Sequence, residues 1–377
     1  MPASRRTFLK NSGLTLAAGT ALLHAPFAFS AGEAEHKYTH DLLTGFRQDP
    51  NAANYMVRRA SFDTGKREDM PVSFEPHSFL QHPQDPARVW VIENFGGNAI
   101  EIDFKAKKIS REIIAPLAEQ KFMGHAFFTP DAKNLCITSM DIKTGEGGLA
   151  LYETGNYTQT DFHKATPGNL HQCMLLPDNT VYITSLGRRE GNNRTIAAPL
   201  ERSSLVQIGL DGKPVGKKFL ESDEQSIGHF TVMADGTIIA VTRTIAGAKA
   251  KAGTAYISDK GKSEFKEINW PPELRAKFTG SMLGVAVDEK RRIAAISSPY
   301  SSLLMLLDTR DWSTIGTIEK CAKGVEFSPE SGEFLCSGND IFRAGAEKTA
   351  SGAFPVTTLD DTAGVHSQHN LIVPKLI

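Results

Sequence analysis

Residues 228–242 read GHFTVMADGTIIAVT, two apolar segments separated by the pair Asp235-Gly236. Aromatic and β-branched residues on both sides of an Asp-Gly pair are typical of two short strands joined by a tight turn. The stretch therefore predicts a β-hairpin. Its importance for the fold is that the same pattern returns along the whole chain.

The repeated pattern starts at an anchor residue that is followed by a short strand, a turn and a second strand. The anchors are spaced by 48, 46, 58, 55, 40 and 42 residues. Strand-rich repeats of roughly 40–50 residues are typical of β-propeller blades. The sequence therefore predicts an all-β protein, a single seven-bladed β-propeller. The seven anchors are His77, His125, His171, His229, Gly284, Gly324 and His366.

The last anchor lies close to the end of the sequence. Only 11 residues follow His366, which is too few for a blade of four strands. Two predicted strands, Tyr55–Phe62 and Met70–Phe74, precede the first anchor. We expect these N-terminal strands to complete the seventh blade around the C-terminal strand Asn370–Val373, which would remove an exposed sheet edge. Residues 31–50 are expected to form a loose leader.

Residues 1–30 have the features of an export signal. Residues 4–10 read SRRTFLK, which matches a twin-arginine motif, and a mildly apolar run from Leu14 to Phe29 follows. Small residues near Ser30 predict cleavage after it. An uncleaved anchor is the alternative, although the run is weak for a permanent membrane span. We therefore expect a periplasmic protein with a propeller domain over residues 31–377 and no membrane span after cleavage.

Composition and motifs disfavour several functions. The 42 basic and 43 acidic residues nearly balance, so no basic surface for nucleic acid is indicated. No P-loop or dinucleotide-binding motif occurs. The four cysteines form no CxxC or CxxCH motif, which leaves covalent c-type haem and a redox dithiol unsupported. Cys321 and Cys336 fall in one predicted blade, and whether they pair is left open.

Histidine occupies five of the seven anchor positions. Equivalent positions of a propeller surround one axis, so these side chains should form a ring at one end of the central channel. Imidazole is a common ligand for iron, copper, zinc and nickel. The sequence thus predicts a transition-metal site for iron or copper, whose affinity should fall as the pH drops through about 6. The predicted ligands are His77, His125, His171, His229 and His366.

Several alternatives stay open for this ring. His369 follows His366 by three residues and could substitute for it. The histidines could instead form structural hydrogen bonds to neighbouring blades, or bind an organic ligand. Against a structural role, two adjacent blades carry Gly284 and Gly324, which would leave an open side. The carboxylate of Glu75 would favour iron and the thioether of Met123 copper(I).

Three kinds of function fit such a ring. The first is a metal carrier or sensor, and the second a metal-dependent oxidoreductase. The third is a metal-free propeller that binds a protein partner in the cell envelope. The sequence indicates no catalytic residue for the second.

Four motifs carry a resemblance to a known family: Glu75–His77, Met123–Phe127, Leu170–Gln172 and Gly364–His369. With the twin-arginine-like start, they make the chain similar to a bacterial family of exported propellers of unknown function. The resemblance covers residues 4–377. It implies a fold like the methylamine-dehydrogenase-like and YVTN propellers, and genes near imelysin-type and di-haem oxidoreductase genes in iron-regulated operons. It brings no established catalytic residues and implies periplasmic iron or copper handling.

Overall fold

The structure, a computed structural model, describes residues 39–49, 51, 53–187, 202–222, 224–244, 251–360 and 365–375. Within these ranges the chain forms seven four-stranded antiparallel sheets, which confirms the predicted all-β, seven-bladed propeller. The predicted export signal over residues 1–30 lies outside the described residues.

The strands follow one another blade by blade. The first three are β1 (His40–Arg47), β2 (Tyr55–Ser61) and β3 (Arg67–Val72). Blade 1 comprises β4 (Pro76–His82), β5 (Asp85–Glu93), β6 (Asn98–Asp103) and β7 (Lys108–Ile114). Blade 2 comprises β8 (Gln120–Phe128), β9 (Asn134–Asp141), β10 (Glu146–Glu153) and β11 (Gln159–Pro167). Blade 3 comprises β12 (Leu170–Leu175), β13 (Thr180–Ser185), β14 (Ser204–Gly209) and β15 (Pro214–Phe219).

The second half of the chain continues in the same way. Blade 4 comprises β16 (Gln225–Val232), β17 (Ile238–Thr244), β18 (Ala255–Ser258) and β19 (Lys266–Glu267), followed by the short helix α1 (Pro272–Arg275). Blade 5 comprises β20 (Val285–Asp288), β21 (Ile293–Ser298), β22 (Leu303–Asp308) and β23 (Thr314–Ile318), with a 3-10 turn at Pro299–Ser301. Blade 6 comprises β24 (Ala322–Ser328), β25 (Glu333–Gly338), β26 (Ile341–Gly345) and β27 (Val356–Asp360), and β28 (Val365–Pro374) follows it.

Blade 7 joins the two ends of the described chain. Strand β28 pairs antiparallel with β1, and β1 continues to β2 and β3. The predicted closure by N- and C-terminal strands is therefore confirmed. The prediction of a loose leader over residues 31–50 was wrong for β1, whose Leu42 and Leu43 are fully buried. A four-stranded blade needs this strand, because β28, β2 and β3 alone leave one position empty.

The hydrophobic core lies mainly between neighbouring blades. Trp90 and Ile92 of blade 1, for example, pack against Leu135 and Ile137 of blade 2. All four cysteines are free thiols, so Cys321 does not pair with another cysteine. None of the helices in the described part of the chain has the length and hydrophobicity needed to cross a membrane.

The innermost strands contact one another around the axis, and all of them except β20 show a register shift near the anchor position. The register of β16, for example, shifts between Ile227 and His229, and that of β12 between Leu170 and Cys173. A bulge bends its strand and redirects a side chain. Hydroxyl groups on the next strand support these bulges, since the backbone N–H of His125 donates to Thr138 Oγ1 at 3.1 Å.

Candidate metal centre

Five histidines from five blades converge inside the ring. One nitrogen of each imidazole lies within 4.8 Å of the corresponding nitrogen of every other. They stand on the innermost strands β4, β8, β12, β16 and β28. The group, called the five-histidine centre below, consists of His77, His125, His171, His229 and His369.

Four of the five predicted ligands are thus brought together, and the fifth, His366, is not in the group. His366 is 1% exposed, but its ring packs on Phe46 with centroids 5.1 Å apart. It lines a separate small cavity that also contacts Glu75. The structure places His369 where the sequence pattern had suggested His366.

The register of β28 explains this difference. His366 pairs with Phe46 and Asn370 with Thr44, so β28 has two extra residues in this interval. His369 lies in the resulting irregularity, immediately before Asn370. The other members of the centre also stand at bulges. The position of the bulge therefore decides which side chain reaches the channel. The local order of residues around a histidine does not decide it.

Two close contacts in the centre join Nε2 atoms. His229 Nε2 lies 2.9 Å from Nε2 of His171 and 2.9 Å from Nε2 of His369. Metal–nitrogen bonds of about 2.0–2.1 Å place two ligands about 2.9 Å apart at a right angle and about 3.3 Å apart at a tetrahedral angle. Both distances from His229 thus fit pairs of ligands on one transition-metal ion, and the nitrogens of His171 and His369 lie within 4.8 Å of each other.

Four imidazole nitrogens of the centre have no hydrogen-bond partner among the described residues. They are Nε2 of His77 and His125, and Nδ1 of His171 and His229. His77 and His125 are each 6% exposed. A buried polar atom without a partner costs about 1–3 kcal/mol. A histidine with a structural role would use such a nitrogen for a hydrogen bond to a neighbouring blade. The orphaned atoms therefore favour a ligand in the centre over the structural alternative.

Burial keeps the imidazoles of the centre neutral. It is the largest cause that lowers the pKa of His77, His125, His171 and His229 well below the usual range, and the mutual repulsion of the rings lowers these pKa values further. Burial also lowers the pKa of His369 to about 3. Neutral imidazole is the form that ligates metals. The centre is therefore ready to bind at neutral pH without releasing protons.

The donor set of the centre contains only imidazole nitrogen among the His, Cys, Asp and Glu side chains that the structure describes. Glu75 is exposed. Met123 and Cys173 belong to the apolar core between blades 2 and 3. The carboxylate and thioether suggested by the sequence therefore do not join the centre.

The two blades without an anchor histidine differ from each other. A Cβ on Gly324 would lie 2.7 Å from the Asn370 side chain, which occupies that space. Next to Gly284 a cavity of about 50 Å³ opens, and it also contacts His229, His369 and Glu326. The predicted open side is therefore a small cavity at blade 5. Burial raises the pKa of Glu326 to about 8, so this acid is mostly neutral at pH 7.

Comparison with known families gives one match. Residues 70–362 match the family described as "Protein of unknown function (DUF1513)". No curated protein matches the chain.

Solved structures match over most of the chain. A hypothetical selenium-binding protein from Sulfolobus tokodaii has a TM-score of 0.62 at 10% identity, over 89% of this chain and 94% of that one. Hydrazine synthase from Kuenenia stuttgartiensis has a TM-score of 0.58 at 14% identity, over 83% and 94%. Apo AztD from Citrobacter koseri has a TM-score of 0.50 at 12% identity, over 90% and 99%. At these identities the likeness shows the fold alone.

Proposed function

The chain belongs to the DUF1513 family, and we propose that it is a periplasmic metal-binding propeller whose five-histidine centre holds iron or copper. The observation that carries the proposal is the convergence of five imidazole nitrogens within 4.8 Å. Together with the orphaned Nε2 atoms of His77 and His125, this arrangement offers several lone pairs to one ion.

The donor atoms support a divalent transition ion. Imidazole suits iron, copper, zinc and nickel, whereas thiolate and thioether select copper(I) and oxygen ligands select magnesium or calcium. All five donors of the centre are neutral nitrogens. Copper(II) and iron(II) both fit this set, and the family resemblance noted above leans towards these two metals.

The proposed location rests on the sequence. Residues 4–10, SRRTFLK, match a twin-arginine motif. That route carries folded proteins, often with a metal already in place. A buried centre built from five blades would suit such export, because it forms only once the ring has closed.

A metal-dependent oxidoreductase is the second candidate. The cavity beside His229 and His369 favours it, because a small molecule could sit there against a bound metal. Glu326 lines the same cavity, and burial raises its pKa to about 8 in the metal-free protein, so it could exchange a proton with a molecule there. Turnover of a redox substrate by the metal-loaded protein would distinguish this candidate from a carrier or sensor.

The test is the metal content of protein purified from the periplasm, measured by element-resolved mass spectrometry. We expect about one iron or copper ion per chain in the wild type. The double variant His125→Ala with His171→Ala should retain none while its circular dichroism stays β-rich. A wild type without metal, or a double variant that keeps it, would overturn the proposal. A wild type without metal would instead favour the alternative of a metal-free propeller that binds a protein partner.

A further inference from the structure

A small cavity lies beside the five-histidine centre, on the side of blade 5. It is lined by His229 and His369 of the centre and by Gly284. Five blades supply the histidines of the centre, and blades 5 and 6 supply none. At blade 6 the side chain of Asn370 fills the space, because a Cβ on Gly324 would lie 2.7 Å from Asn370 Cγ. Blade 5 is therefore the side from which a further ligand could reach an ion in the centre.

Asn370 brings an amide group to this cavity. Its side chain is 5% exposed, and it lines the cavity together with His229 and His369. The Nδ2 atom of Asn370 is buried and has no hydrogen-bond partner among the described residues. A buried donor without a partner is costly, so such a group indicates a missing acceptor. The acceptor would come from a molecule in the cavity.

Hydrogen bonds from blades 6 and 7 hold the amide in one orientation. The Ser337 hydroxyl donates to Oδ1 of Asn370, and the Thr44 hydroxyl donates to Ser337 Oγ at 3.2 Å. Ser337 and Thr44 are fully buried. Because Ser337 uses its single hydrogen on Oδ1, the amide keeps both hydrogens of Nδ2 for another partner. Asn370 is thus a donor that is fixed before any ligand arrives.

The size and walls of the cavity limit what it can hold. Its volume is about 50 Å³, whereas one water takes about 30 Å³ in the liquid, so there is room for a molecule of about two or three atoms. Gln172 Oε1 already accepts from the backbone N–H of Phe230 at 2.6 Å. Glu326 lines the cavity but does not belong to the groups that lie within 4.8 Å of one another. The other lining side chains are apolar: Phe230, Leu283, Val285 and Val325.

We propose that this cavity binds a linear ligand of about two or three atoms, which ligates the metal of the centre at one end and accepts a hydrogen bond from Asn370 Nδ2 at the other. The inference rests on the proposed function, because it presupposes a metal in the centre. Such a ligand carries a lone pair at each end, as azide does. A hydrogen bond to a charged acceptor is stronger than one between neutral groups, so Asn370 favours a small anion over water.

The experiment adds azide to the copper(II)-loaded protein and follows the absorption band that azide gives on copper(II). For the wild type we expect this band to saturate with a single azide per copper. Benzoate and imidazole, which are larger than the cavity, should not displace azide. Asn370→Leu keeps a similar volume without the donor. It should hold copper(II) and bind azide about tenfold more weakly, which corresponds to about 1.4 kcal/mol. Ser337→Ala, which leaves the amide without its support, should weaken azide binding less.

The matched control is Asn156→Leu, which changes an exposed turn residue and should keep the full azide affinity. Glu326→Gln should bind azide at least as tightly as the wild type, because it removes an acid beside an anionic probe and no donor. Undiminished azide affinity in both Asn370→Leu and Ser337→Ala would overturn the role of Asn370, and so would a loss in Glu326→Gln alone.

The wild type alone also tests the inference. Copper(II)-loaded protein that gives no azide band would overturn the inference and leave the proposed function standing. Displacement of azide by benzoate or imidazole would overturn the proposed ligand size. A wild type that binds no metal under any condition would overturn both proposals.

Discussion

Nε2 of His369 lies 2.9 Å from Nε2 of His229, although 140 residues separate them in the chain. Two imidazole nitrogens at this distance must share a proton, or they must share an ion. In the metal-free protein one ring donates its N–H to the lone pair of the other. With a metal bound, that proton would lie on Nδ1 of the same ring, and the two rings would become neighbouring ligands.

The first prediction distinguishes the roles of His366 and His369, the two histidines of β28, in metal binding. His369→Ala should lower metal affinity at least about 100-fold, because loss of a direct ligand should exceed the 10–100-fold cost of losing a supporting contact. His366→Ala should keep the metal, since His366 packs on Phe46 outside the centre. Competition with a chromogenic chelator measures both. Equal metal loss in the two variants would contradict the assignment of His369.

The second prediction concerns metal binding in mild acid. Free histidine has a pKa near 6.5, and this value led to the expected loss of affinity near pH 6. Burial lowers the pKa of all five rings, that of His369 to about 3. Protons should therefore compete weakly, and the folded protein should retain its metal at about pH 5.5. Chelator competition at pH 7.5 and 5.5 checks this. Release that follows a pKa near 6.5 would argue against a buried centre.

The third prediction is a pH-dependent stability of the metal-free protein. Above about pH 6.5 the five histidines are neutral in both the folded and the unfolded chain. Below it the unfolded chain takes up protons that the folded chain refuses, so stability falls. Each histidine costs about 1.4 kcal/mol per pH unit until the pH reaches its folded pKa.

Denaturant unfolding at pH 7.5 and 5.5 measures this loss. Glu326 acts in the opposite direction, because its raised pKa makes the folded chain bind an extra proton. The comparison of wild type with His125→Gln isolates the histidines, and the variant should lose less stability on acidification. Identical losses in the two proteins would show that His125 is not kept neutral by the fold.

The fourth prediction tests the export signal. Replacing Arg5 and Arg6 together by Lys should leave the precursor in the cytoplasm. Cell fractionation with an antibody against the protein follows the outcome. Replacing Arg310 by Lys serves as a control outside the signal, because its side chain is 69% exposed. Undiminished export of the Arg5/Arg6 variant would exclude the twin-arginine route.

The ring of blades was predictable because the same bulged hairpin recurs. Each copy must direct one residue into the channel, so His125, His171 and His229 share a visible pattern. Strand β1 escaped prediction because it belongs to no copy of the repeat. The sequence offered His369 only as an alternative ligand to His366. The two extra residues of β28 shift the bulge, and this shift depends on the pairing of β28 with β1 rather than on local residue order.

Glu326 was not anticipated for a different reason. It lies on β24, a strand whose alternating faces would equally suit a solvated charge. What makes it important is its position, because it lines the small cavity beside His229 and His369 and burial raises its pKa to about 8. Such a property arises only from contacts between blades, so a single sequence does not display it.

The ligands also bear on how the ring holds together. His77 of blade 1 and His369 of blade 7 lie with ring centroids 4.8 Å apart, on opposite sides of the seam where the chain ends meet. Without metal, this seam is held by the pairing of β28 with β1 and by packing between blades 7 and 1. A bound ion, ligated by both histidines, would link the two sides of the seam. Transient opening at the seam, visible as amide hydrogen exchange in β1 and β28, should therefore become slower when the metal is bound.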